Sequence, residues 1–482
     1  MNKALFLRLP RWSDQEAIRT LSALAAAVVG SIAIALLHIE TSLAIALFLA
    51  GIYAGSRRPD IGLALIALSV PVQRSLLVGV GDTAVTTTKV LLWSTIAGWI
   101  WSMVAGRRTL LLDKVTIGAA LTAGGVALSG WNARDGGLWM GETYRWVTMV
   151  PVACMAFNVF RRGWSPVSFL VASAGGAIAS CTLALWQVSQ EIGPDSFVTR
   201  GFMRAVGSFG HPNQLAVYFE SLTPVLLAIV IWLTKDTAAS PLGRQMGRFK
   251  ALWVIATLAG LGGLLLTQSR GGGVGMVAGL ATVLVLTWPI IRIRSHALMA
   301  VAGATMIISS IGLFIVISEG LLTTDERGVH VTPGNFAVEE RIAHWNAGVE
   351  MAIEHPFLGV GAGNFDMSFR DATTTWRFRI GRGHAHNSYI QMLAQSGVVG
   401  FAGYAVLIAT VGLTVAQALD RSRTGLSRAL TVGVAGMSAA LLVHAVFEYV
   451  HVLSLNLQMA ISWGLVSAIA AGGLDAPDQN GG

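Results

Sequence analysis

Charge is scarce in this 482-residue sequence. Asp, Glu, Lys and Arg make up 12% of it, against about 25% in a soluble domain, and its mean hydropathy is +0.64. So few charged groups cannot clothe several soluble domains, although length alone suggests about three. Cysteine is scarcer still. Cys154 and Cys181 each lie inside an apolar run, so they read as small core residues and exclude a disulfide framework or a cysteine-bound metal. No Walker-type Gly-Lys-Ser/Thr occurs. Gly359-x-Gly361-x-Gly363 follows a helical pattern rather than a strand, which sets a dinucleotide fingerprint aside as well. Nor does a cleavable leader stand out. Lys3, Arg8, Arg11 and Arg19 precede the first long apolar run with no sustained apolar core among them, so that run is expected to remain as a membrane helix.

Long apolar runs are what the sequence has instead. A spanning helix needs about 20 mainly apolar residues, and by that measure there are about fourteen segments. They lie near 20–38, 40–56, 61–79, 88–106, 115–132, 143–160, 166–187, 213–234, 250–268, 271–290, 297–318, 387–417, 428–447 and 452–471. Pro71 and Arg74 interrupt the third, which is either a span or a re-entrant segment. The predicted fold class is therefore an all-α polytopic membrane protein.

The net charge of +8 and pI near 9.9 raise the question of nucleic acid. The excess, however, sits in short loops: Arg57-Arg58, Arg107-Arg108, Arg161-Arg162, Arg244 to Lys250, Arg292 with Arg294, and Arg421 to Arg428. Every second connection is short and basic, as the positive-inside rule expects, so this side is cytoplasmic, both termini lie there and no nucleic-acid partner is expected. The two long connections, about 188–212 and 319–386, fall on the other side. The chain thus divides into a cytoplasmic segment 1–19, helices over 20–318, an outer loop 319–386 between the eleventh and twelfth helices, helices over 387–471, and an acidic, Gly-rich tail 472–482 expected to be disordered. Within the loop, Val338, Ile342, Trp345, Val349 and Ile353 recur at three- and four-residue steps, which predicts an amphipathic helix ending at Pro356. Phe365, Phe369, Trp376 and Phe378 give it aromatic area to pack on the membrane surface or a lipid.

Where the loop returns to membrane stands His386-Asn387-x9-Gly397-x2-Gly400, preceded by Arg377, Arg379, Arg382 and His384. An imidazole at a membrane helix end is either a packing residue or a proton acceptor, and a base beside cations suits transfer from a phosphate-linked donor. The two histidines around Ala385 also invite a metal, but no third ligand stands at a fixed spacing, so no metal is expected. Arg270, before Gly271-Gly272-Gly273, either snorkels to headgroups or serves a site that the glycines let a bulky group approach. Arg341 stands beside Glu339 and Glu340, where a solvated ion pair is the plain alternative to anion binding. Outward loops use arginine almost throughout, with Lys89 the exception, which fits bidentate recognition of phosphate. Arg200 and Arg204 precede His211-Pro212-Asn213, which reads as a helix start, with Arg204 a candidate acceptor or phosphate contact. His444 and Glu448, four residues apart, either pair locally or line a cavity.

Taken in order, five stretches resemble the bacterial O-antigen ligase and Wzy-type polysaccharide polymerase superfamily. They are Gly207–Ala216, Leu266–Gly271, Arg341–Trp345 running on through His355–Gly363, the His386 segment, and more weakly His444–Tyr449. The resemblance covers roughly the second half of the chain. It implies a GT-C-like glycosyltransferase in the bacterial inner membrane, with a periplasmic active site and no cofactor. Its donor would be a glycan on undecaprenyl diphosphate. His386 would be the base, and Arg270 and Arg341 would bind the diphosphate of an inverting transfer. Arg204, Arg382, His384, Asn387, His444 and Glu448 would be further candidate substrate contacts. The acceptor would be lipid A core in a ligase, another lipid-linked repeat in a polymerase, or a Ser or Thr in a protein O-oligosaccharyltransferase. The histidine–glycine spacing is nearest the ligase, while about fourteen helices keep the polymerase close. A transporter or flippase for lipid-linked sugars, the reading from another class, calls for midplane charges and paired broken helices.

Overall fold

The computed structural model describes residues 39–72, 78–80, 83–199, 201–233, 241–287, 324–325, 328–329, 336–372, 383–422 and 425–474. The expected segments 20–38 and 297–318 lie outside them, as do Arg200, Arg377, Arg379, Arg382, Trp376 and Phe378. Each other expected segment falls wholly or partly on a described helix. Among the described residues six helices are long and apolar enough to cross a membrane: Val167–Ser189, Pro212–Leu233, Lys250–Thr267, Arg270–Thr287, Ser388–Arg421 and Gly425–His444. The chain is an all-α, multi-pass membrane protein. Its described strands form only three two-stranded antiparallel hairpins, such as Val198–Thr199 with Phe202–Met203. The interrupted third segment is the helix Pro59–Ser69 with a 3-10 turn through Val72, so Pro71 closes it short.

Polar residues placed between the apolar runs start the helices. Asp113 accepts from the amides of Val115 and Thr116 to open Lys114–Leu128, and Asp135 accepts from those of Gly137 and Leu138 to open Gly136–Arg161. Each satisfies donors that have no intrahelical partner. Small residues then let the helices touch. A Cβ on Gly400 of Ser388–Arg421 would meet Ser396, and one on Gly125 of Lys114–Leu128 would lie 2.6 Å from the Gly400 Cα, so the two helices cross backbone to backbone.

Gly397 breaks the long helix. Its φ of +58° lies in the left-handed region, and the residues around it exchange hydrogen bonds with Pro356, Phe357, Val360 and Gly361. The amides of Val398 and Val399 donate to the carbonyls of Pro356 and Phe357, at 2.8 and 3.2 Å. In return the carbonyls of Ala394 and Gln395 accept from Val360 and Gly361, at 2.9 and 3.1 Å. Backbone groups freed by the break are thus satisfied by the loop, which apolar surroundings require. Of the three alternating glycines, Gly359 lies against Ala394–Ser396, while Gly361 and Gly363 lie against Ala133 and Leu138, so all three pack on protein backbone. We predict that Gly397→Ala destabilises the protein by more than the roughly 1–2 kcal/mol of a left-handed L-residue, because its Cβ would sit 2.3 Å from the Phe357 carbonyl carbon. A thermal melt in detergent checks this, and an unchanged Tm would mean that the break is not held by the loop.

The loop helix forms at Phe336–Glu354, but its apolar stripe differs from expectation. Val338, Trp345, Ala347, Gly348 and Met351 face inward, whereas Val349 and Ile353 are exposed. Close contact decides the face: a Cβ on Gly348 would lie 2.5 Å from Ile390 Cγ2, so the helix turns its smallest side to the Ser388–Arg421 helix. Ala347 and Met351 pack there with Phe365, Phe369 and Ala385. That cluster seats the loop against the residue before His386.

Candidate active site

His386 has a left-handed backbone (φ +51°), which turns its ring away from the helix that begins two residues later. Asn387 is the N-cap of that helix. Its Oδ1 accepts from the amides of Tyr389 and Ile390, and the residue is buried. Ser388, the first residue of that helix, ties it to a second segment, since its amide donates to Ala445 O at 2.7 Å and its hydroxyl to Glu448 O at 2.9 Å.

These bonds bring His386 to Glu448, sixty-two residues on. His386 Nδ1 lies 3.2 and 3.4 Å from the two carboxylate oxygens. Glu448 is buried and also accepts from the Tyr449 amide at 3.0 Å and from Asn213 Nδ2. Burial opposes its charge, but the hydrogen bond from His386 and the Arg341 guanidinium hold the carboxyl well below the usual carboxylate range. An ionised Glu448 can only accept, so Nδ1 of His386 carries the proton. Its Nε2 lone pair is buried and has no hydrogen-bond partner among the described residues. A carboxylate fixing the tautomer of an imidazole whose far nitrogen is free is the arrangement of an oriented general base.

His384 supports this pair from beside it. The rings of His384 and His386 are 4.4 Å apart, and the His386 amide donates to His384 Nδ1 at 3.2 Å. Burial pushes His384 down to about 3, against the pull of Glu448, so it is neutral at pH 7 and its Nδ1 accepts. Its 3.3 Å approach to Glu448 Oε1 is consequently a contact between two acceptors rather than an ion pair. On the other side His344 presents its ring edge-on to His386, with centroids 5.5 Å apart, and stacks on Phe369 at 4.4 Å. Trp345 Nε1 points at the His386 carbonyl from 3.5 Å. His344 went unnoticed in the sequence, although it lies inside the Arg341–Trp345 stretch.

Arginines complete the site. Arg204 donates to Asn213 Oδ1 at 3.2 Å and to Thr267 O at 2.9 Å, which orients the amide that holds Glu448. Asn213, expected only as a helix start, therefore also reaches the carboxylate. His211 caps the same helix, its Nδ1 accepting from the Asn213 amide at 3.2 Å. Burial lowers the pKa of the Arg204 guanidinium, as do the charges of Arg341 and Arg270, while Glu448 opposes them. Arg270 and Arg341 thus each lie within electrostatic reach of Arg204. Arg270 is exposed at the first turn of its helix. Two of the glycines after it admit protein: a Cβ on Gly271 would meet His444 and one on Gly272 would meet Ala216, whereas one on Gly273 would meet nothing within 4 Å.

His444 and Glu448 do not pair. The helix ends at His444, whose Nδ1 meets Glu220 Oε2 at 2.6 Å, both groups fully buried. A further difference concerns metal. His384, His386 and Glu448 hold three donor atoms within 4.8 Å of one another, so the third ligand absent from the local spacing is supplied by a distant segment.

A histidine held by a buried carboxylate thus lies within a polytopic membrane protein, among helices long and apolar enough to cross a membrane. Residues 255–405 match the family model described as O-antigen ligase, and the chain carries a domain of the O-antigen ligase and Wzy-type superfamily. That segment includes Arg270, Arg341 and His386, whereas Asn213 and Glu448 lie outside it. No curated protein matches the chain.

Proposed function

We propose that the chain is an O-antigen ligase-like glycosyltransferase, moving a glycan from undecaprenyl diphosphate to a hydroxyl of lipid A core on the periplasmic face. The observation that carries this reading is His386, oriented by Glu448 with Nε2 free, beside Arg204, Arg270 and Arg341. The acceptor oxygen attacks the anomeric carbon and gives its proton to Nε2. The bond from that carbon to the diphosphate breaks, and undecaprenyl diphosphate leaves with its electron pair, its charge balanced by Arg270 and Arg341. Attack opposite the leaving group inverts the anomeric centre. Purified protein mixed with lipid-linked glycan and each acceptor in turn, read by mass spectrometry, tests this. Product on lipid A core supports the ligase. Longer lipid-linked glycan would make the chain a polymerase, and product on Ser or Thr a protein O-oligosaccharyltransferase. Translocation without transfer would make it a transporter. Glu220 inside a candidate span and the broken helix at Gly397 are features a transporter also uses, but Glu220 is met by His444.

The loop 319–386 belongs on the periplasmic side in this reading, with both termini in the cytoplasm. Reporter fusions after Arg108, Arg162 and Arg248 are expected to read cytoplasmic, and fusions within 325–380 periplasmic. A cytoplasmic signal from the loop would remove the site from its substrates.

Arg270→Ala and Arg341→Ala are expected to weaken donor binding as well as turnover, since each charge meets the diphosphate before and during transfer. Lysine restores only part, because an ammonium lacks the forked contact. Donor titrations together with kcat check this. Unchanged donor affinity in both alanine variants would take the diphosphate away from them.

A further inference from the structure

We propose that His384, His386 and Glu448 form a zinc site, and that zinc bound there switches the transferase off. The inhibitory part rests on His386 acting as the base. Two donors bound at about 2.0–2.1 Å to one tetrahedral zinc stand about 3.3 Å apart. Glu448 Oε1 lies 3.2 Å from His386 Nδ1 and 3.3 Å from His384 Nδ1, so both imidazole–carboxylate distances already match, and zinc would displace the His386 amide from His384 Nδ1. Two imidazoles and a carboxylate are a ligand set that zinc accepts with its fourth position open, and imidazole favours zinc over magnesium or calcium. Glu448 is braced for the role, its other oxygen held by Asn213. The charges of Arg204 and Arg341, which act on this cluster, weaken a cation there, so the site is expected to fill reversibly rather than permanently.

Inhibition follows from the tautomer. Zinc must take the Nδ1 lone pair of His386, and a neutral imidazole bound through Nδ1 carries its proton on Nε2. The proton moves from one ring nitrogen to the other, Glu448 changes from hydrogen-bond acceptor to metal ligand, and the lone pair that would receive the acceptor proton is gone. Zinc binding and general-base action therefore exclude each other at the same ring.

The full chain in detergent is stripped with EDTA, then titrated with zinc against a chelating dye while transfer is followed in parallel. We expect a bound zinc whose affinity falls at least tenfold in His384→Gln and in Glu448→Gln, and is unchanged in His355→Gln, a change at an exposed histidine outside the cluster. Transfer by the wild type should fall as that zinc binds and return with EDTA, with magnesium and calcium inert. Relative to its own zinc-free rate, His384→Gln should resist zinc. Zinc affinity unaltered by both cluster variants, or zinc that fills the cluster without slowing transfer, would overturn the proposal. EDTA-stripped protein revived by zinc would overturn both it and the metal-free mechanism. Binding is read without turnover, so cluster-bound zinc on a chain that transfers nothing to any acceptor would refute the proposed function and the inhibition while confirming the metal site.

Discussion

His386→Ala is expected to lower transfer by about 10²–10⁴, the usual contribution of a positioned general base, with donor binding nearly intact. Alanine leaves Glu448 its bonds from Asn213 and the Tyr449 amide, so the carboxylate stays partnered and the fold is not asked to absorb a bare charge. The loss should fall on kcat, because the proton moves only as the acceptor attacks. His344→Ala is a useful comparison. That ring touches His386 edge-on and stacks on Phe369, so its removal loosens the site without removing a base and should cost less. Single-turnover rates with preloaded donor separate the two cases. Near-normal turnover by His386→Ala would return this histidine to a packing role.

Much of the bundle was legible because hydropathy along the chain is a direct record of lipid contact. Apolar runs bounded by Asp113 or Asp135 fold as helices capped by those residues. The loop helix was legible too, but its inward face was not. Val349 and Ile353 continue the apolar period, yet close contact at Gly348 turns them outward. Periodicity records which residues are apolar, whereas burial here is decided by which are small. The break at Gly397 was hidden for a similar reason, since it depends on a loop some forty residues earlier lending four backbone partners. The site was legible where chemistry is local. His386, Arg270 and Arg341 each stand in a short stretch with its own signal. Glu448 was seen, with a local pair to His444 and a place in a cavity both open, because four-residue spacing pairs side chains only along a continuing helix. The helix stops at His444, and the two residues part toward Glu220 and His386.

Glu448→Gln is expected to cost kcat on the order of 10²–10⁴, although it changes one atom and removes no volume. Apart from the acceptor His384 Nδ1, the partners of this carboxylate are donors: His386 Nδ1, the Tyr449 amide and Asn213 Nδ2. An amide places an NH2 against one of them. Facing His386, it makes Nδ1 accept and moves the ring proton to Nε2, which abolishes the base. Facing Asn213, it meets a second NH2, and Asn213 cannot turn over because Arg204 donates to its Oδ1. No orientation satisfies the set, and a buried donor left unmet costs about 1–3 kcal/mol. The histidine and its carboxylate act as a unit, so their losses should not multiply. Combining Glu448→Gln with His386→Ala is expected to cost little more than His386→Ala alone, with donor affinity retained in all three proteins. Steady-state kcat beside donor titration measures this. Losses that multiply would make Glu448 a support of the fold rather than of the base, and a Glu448→Gln rate near that of the wild type would end its part in the chemistry.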